Sequence, residues 1–90
     1  MSNRFNLRAK ISLDGRRCQL LRGAVQLVVI TWSNKNERFY INYKDDRTEK
    51  ELESDIVYMH YLAEVLYLLG EYKKEADALE RRKEALQMLL

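Results

Sequence analysis

From residue 4 to residue 13 apolar and polar side chains alternate without a slip. Phe5, Leu7, Ala9, Ile11 and Leu13 fall on one side, and Arg4, Asn6, Arg8, Lys10 and Ser12 on the other. Successive side chains of a strand point to opposite faces, so this pattern predicts a half-buried strand. Asp14-Gly15 follows directly, a dipeptide suited to a type I′ hairpin turn. A turn there sets the register: Lys10 opposite Gln19, Ile11 opposite Cys18, Ser12 opposite Arg17. The apolar face gains Cys18 and Leu20, while Arg4, Arg8, Lys10, Arg17 and Gln19 share the outer one. Arg22-Gly23 ends the second strand, the isolated glycine marking a turn or bulge.

Residues 24–32 place Val25, Leu27, Val28, Val29 and Ile30 on both faces. That density predicts a central strand covered from both sides. Ser33-Asn34-Lys35-Asn36 is a polar turn. Beyond it Phe39, Ile41 and Tyr43 alternate with Arg38, Tyr40, Asn42 and Lys44. The expectation is a four-stranded antiparallel meander over residues 4–44.

The period then changes. Thr48-Glu49-Lys50-Glu51 reads as a capping box, with Thr48 and Glu51 satisfying each other's amides. The helix that follows is apolar over a wide arc, with Asp55, His60, Glu64 and Tyr67 as its wet edge. So wide an arc needs cover on two sides. After Leu69 two readings stand. In one, Gly70 ends the helix and residues 71–90 fold back as a helical hairpin. The segment Leu69-Gly70-Glu71-Tyr72 with Ala76 resembles the inter-helix turn of a tetratricopeptide unit, in one copy. In the other, a single long helix runs through. Tyr58, Leu62, Val65, Leu69, Tyr72, Ala76, Leu79, Lys83, Leu86 and Leu90 keep a coiled-coil 4-3 spacing. The hairpin is the preferred of the two. The whole is an α+β chain of one domain, residues 1–90, with a β half at 4–44 and a helical half at 48–90.

Composition refines this picture in three places. The 90 residues include no proline, three glycines and one cysteine. A single cysteine excludes an internal disulfide framework. There is no signal-peptide core and no run of ~20 apolar residues, so a cytoplasmic protein without membrane attachment is expected. The net charge of +2 conceals a division. Residues 1–47 carry ten Lys/Arg against four Asp/Glu, and residues 48–90 carry six against ten. A basic half suits an anionic partner, or the acidic half of a second copy.

Catalytic signals are sparse. His60, one turn from Glu64, reads as a surface pair. Cys18, placed on the core face by the hairpin register, reads as a small buried hydrophobe. Asp45, Asp46 and Glu49 read as a solvated helix start rather than a cation site. No phosphate-binding glycine loop or nucleophile elbow is present. A non-enzymatic protein without metal or cofactor is expected.

The constellation with most chemical content is basic and aromatic. Arg4, Arg8, Lys10 and Arg17 share a strand face, and Trp32, Lys35, Arg38, Tyr40 and Lys44 cluster on the second hairpin. Cations neutralise phosphates and exposed aromatics stack on unpaired bases. Four strands followed by a helix also resemble the element order of one class of small single-stranded-DNA binders. These features point to a nucleic-acid-binding protein that dimerises through Tyr58, Leu62, Val65, Leu69, Tyr72, Leu79 and Leu86. The alternative is a protein-interaction module or small inhibitor that docks a protein partner through its helical half or a strand edge.

Overall fold

The computed structural model describes residues 6–88. Four strands come first: β1 (Arg8–Ile11), β2 (Arg17–Arg22), β3 (Val25–Ser33) and β4 (Arg38–Tyr43). Two helices follow, α1 (Asp46–Glu53) and α2 (Ile56–Met88). The sheet is antiparallel throughout, in the order β1-β2-β3-β4. This is the expected α+β meander, and the second of the two helical readings.

The first hairpin has the expected register, with Lys10 opposite Gln19 and Ile11 opposite Cys18. The turn is of another kind. The Ser12 amide donates to the Arg17 carbonyl at 2.9 Å and Gly15 donates to Ser12 at 3.0 Å. Gly15 has a positive φ of 69° and Asp14 does not, so residues 13–16 form a four-residue connection rather than a type I′ turn. Asp14 braces it, accepting from the Ser12 hydroxyl at 2.7 Å and the Arg16 amide at 3.1 Å. Those bonds, the Ser12 hydroxyl foremost, hold the Asp14 carboxyl below its usual pKa.

β2 and β3 are joined through Gly23-Ala24, with Gly23 at φ 61° as a type II′ turn allows. The register shifts between Leu20 and Leu21, so that Leu27 becomes an extra residue with no partner on β2. This bulge explains why Leu27 and Val28 are adjacent in sequence and both buried. It corrects the expectation that β3 is covered on both faces. Only one face of the sheet carries helices; on the other, Val29 and Thr31 are half-buried and Gln26 is exposed.

The core lies between the sheet and α2. Cys18, Leu20, Val28 and Ile30 from the sheet are fully buried, as are Tyr58 and Leu69 from α2, with Leu62 and Val65 beside them. Leu52 from α1 closes one end. The Tyr58 hydroxyl is not orphaned there: it lies 2.9 Å from the Tyr43 hydroxyl, which reaches Glu53 Oε1 at 3.0 Å. Burial, and then the bond to Tyr58, push the Tyr43 phenol well above its ordinary pKa. Burial does the same to Tyr58.

The helical half departs from expectation at three points. The first cap is Asp45, whose carboxylate accepts from the Thr48 amide at 2.7 Å. Aspartate caps at least as well as threonine, so α1 starts before Thr48. Glu51 pairs with Arg47 at 3.1 Å instead of closing a capping box. The helix next breaks at Ser54-Asp55. Ser54 caps α1, and Asp55 accepts from the Val57 amide at 2.9 Å to start α2 afresh. At Gly70, finally, nothing breaks. The preferred hairpin and the tetratricopeptide-like turn are both absent, and α2 runs for 33 residues through the glycine. A helical glycine costs only about 1 kcal/mol relative to alanine. The chain around it is held helical by the β1–β2 connection, where a Cβ on Gly15 would lie 2.9 Å from the Leu69 carbonyl and 2.5 Å from the Lys73 amide.

A candidate nucleic-acid interface on the uncovered sheet face

Strand alternation sorts the sheet into two faces. Cys18, Leu20, Val28 and Ile30 point toward α2. The register then assigns Arg8, Lys10, Arg17, Gln19, Leu21, Gln26, Val29, Thr31, Arg38, Tyr40 and Asn42 to the opposite face. Lys44 continues the same alternation, its amide extending the ladder to the Leu27 carbonyl at 2.8 Å. Neither described helix lies over this side.

Its charges are of one sign. Arg8, Lys10, Arg17, Arg38 and Lys44 are all exposed, and no Asp or Glu among the described strand residues shares the face. The cations are not spread evenly. Arg8, Lys10 and Arg17 lie on β1 and β2, while Arg38 and Lys44 lie on β4 or just past its end. Between them runs a floor of Gln19, Val29, Thr31, Tyr40 and Asn42. With strands about 4.8 Å apart, the line of β4 lies about 14 Å from Arg8 and Lys10 on β1 and about 10 Å from Arg17 on β2. A shallow depression of about 170 Å³ opens on this side between Lys10, Arg17 and Gln19.

Tyr40 is half-buried in the floor. The Arg38 guanidinium lies 4.8 Å from its ring centroid, and Asn36 donates to its hydroxyl. These contacts hold the ring in one orientation. Lys35 sits in the loop after β3, exposed, at the end of the sheet rather than on the face.

Trp32 is elsewhere. It shares the parity of Val28 and Ile30 and therefore points toward α2. Its ring meets Phe39 edge-on at 5.0 Å, its indole N–H donates to Asn34 at 2.9 Å, and Lys73 Nζ from α2 sits 4.4 Å above it. Lys73 also binds Asp77 at 2.6 Å, and Asp77 accepts from Arg16 at 3.2 Å. Trp32 is thus part of the seam between sheet and helix, not of the basic platform. The sequence pattern carried this signal: Trp32 lies two residues from Ile30, on the core parity. Arg4 lies outside the described residues.

The expected dimer seam also divides. Tyr58, Leu62, Val65 and Leu69 are buried against the protein's own sheet, so they cannot line a second interface as well. Tyr72, Leu79 and Leu86 remain exposed. Cys18 is fully buried, and burial raises its thiol pKa. His60 and Glu64 are exposed on α2. Of the carboxylates at the helix start, Asp45 serves as the cap. Among the described residues no three His, Cys, Asp or Glu side chains converge on a metal position. No helix there is long and apolar enough to cross a membrane. No family model, curated protein or solved structure matches the chain.

Proposed function

We propose that the uncovered sheet face binds single-stranded nucleic acid. The observation that carries this reading is the set of five exposed cations, Arg8, Lys10, Arg17, Arg38 and Lys44, on a face where the described strand residues include no carboxylate. A solubilising surface mixes its signs; a one-signed surface over a neutral floor suits a polyanion. The phosphate chain follows one cationic rim, and the bases lie on the floor. There Gln19, Thr31 and Asn42 offer hydrogen bonds and Tyr40 offers the one stacking surface among the described residues. A face with a single aromatic ring binds through phosphates more than through bases, so affinity depends weakly on sequence and steeply on salt.

The test is fluorescence anisotropy with a labelled single-stranded oligonucleotide over a salt series. The variant Arg8→Ser/Lys10→Ser/Arg17→Ser removes three exposed cations from β1 and β2. It is expected to weaken binding at low salt and to reduce the slope of log K against log salt by about 2. Unchanged affinity and slope would reject the reading and leave the face as a surface for a protein partner.

A further inference from the structure

α2 is about 50 Å long at 1.5 Å per residue, close to the 53 Å long axis of the molecule. The sheet covers only its first half. Leu69 is the last buried residue, and residues 78–88 are exposed all round. A helical segment of that length is marginal in water without tertiary cover. Yet it carries an ordered stripe. Leu68, Tyr72, Glu75, Leu79, Arg82 and Leu86 follow one another at 4-3 spacing, and its apolar members are 45–63% exposed. The β1–β2 connection occupies the neighbouring line, where Gly15 meets Leu69 and Lys73 and Arg16 meets Asp77, and it touches the stripe at the base of Tyr72, where a Cβ on Gly15 would lie 2.9 Å from the Tyr72 Cβ. Tyr72 is still 45% exposed, and Leu79 and Leu86 beyond it are more so.

The geometry points to a second copy of this chain as the occupant, its α2 laid antiparallel along the stripe and crossing near residue 77. Charge selects the direction. In a parallel pair each residue faces its own counterpart, Glu75 against Glu75 and Arg82 against Arg82, and both contacts repel. In the antiparallel pair Glu75 lies within a turn of the partner's Arg82, twice over by symmetry. The Tyr72 ring faces the same guanidinium, a favourable cation–π arrangement. Leu68 lies opposite the partner's Leu86, and the two Leu79 side chains flank the centre about one turn apart, each beside the stem of the partner's Glu75. Tyr72 also lines a groove of about 320 Å³ with Ala9, Ile11, Ser12 and Leu13. This extends the apolar surface at the end of the stripe where the partner's Leu86 arrives. The shared seam runs about 27 Å, from residue 68 to residue 86.

Sedimentation velocity of the full chain across the micromolar range, without nucleic acid, tests this apart from the sheet-face reading. The expected result is a reversible dimer of twice 10.8 kDa. Leu79→Glu gives a monomer whose circular dichroism loses at most the helicity of the projecting segment, the sheet-packed part of α2 staying folded. Glu75→Arg alone and Arg82→Glu alone each raise the dissociation constant about tenfold. The chain carrying both substitutions regains the original value, because the antiparallel contact is restored with its signs exchanged. A parallel pair gives no such rescue. A chain monomeric over the whole range, a dimer indifferent to Leu79→Glu, or single charge substitutions without effect would each overturn the proposal.

Discussion

At the residue scale, two glycines share a backbone conformation and differ in surroundings. Gly15 and Gly23 both have positive φ, 69° and 61°. A Cβ at Gly23 meets nothing within 4 Å, whereas at Gly15 it meets the backbone of α2 at 2.5 Å. Gly23→Ala is therefore expected to cost about 1 kcal/mol of backbone strain. Gly15→Ala adds overlap with a helix that cannot yield locally, for a total of about 3 kcal/mol. Urea denaturation of the two variants separates strain from docking; equal losses would show that the close approach carries no weight. Titration is the second residue-scale lever. The phenols of Tyr43 and Tyr58 are raised above their unfolded value of about 10. Above that pH the folded state holds protons that the unfolded chain releases. The stabilisation is complete below pH ~10 and is lost as pH rises beyond it. The urea midpoint should fall between about pH 10 and pH 11, and Tyr43→Phe should make that fall shallower. A midpoint flat across the interval would contradict the Tyr43–Tyr58–Glu53 bonding.

At the scale of elements, the strands were legible and the helix boundaries less so. Alternation from Leu7 to Ile11 and from Cys18 to Leu20 specified which face is buried, because a slip of one residue would turn every side chain over. The register survived a wrong turn type for that reason. The helix ends depend on competition among near-equal caps. Asp45 outcompeted Thr48, and Asp55 opened a second helix that the periodicity runs straight across. Gly70 shows the opposite error, a residue read as a stop in a helix that passes through it. Since Gly70 lies in helical backbone and a Cβ there meets nothing within 4 Å, Gly70→Ala is expected to raise stability by about 1 kcal/mol. A destabilised variant would mean that Gly70 serves some contact of its own.

At the scale of the whole molecule, two surfaces stand out once the core is built: a sheet face whose described strand residues carry no carboxylate, and an apolar stripe on the projecting end of α2. They lie on different layers. The Arg8/Lys10/Arg17 variant and the Leu79→Glu variant should thus act independently, one on salt-dependent binding and the other on association. Read alone, the chain already specified the four strands, the register of the first hairpin, the burial of Cys18 and the concentration of positive charge on one strand parity. These follow from local alternation, which needs no partner to be read. Packing in three dimensions was needed to show that Gly15 is a docking point, that Lys73 sits over the Trp32 ring, and that α2 continues through Gly70. It also divided the Tyr58-to-Leu86 seam into a buried half and an exposed half. Each of these depends on where the sheet ends beneath the helix, a distance in space that periodicity along the chain does not encode.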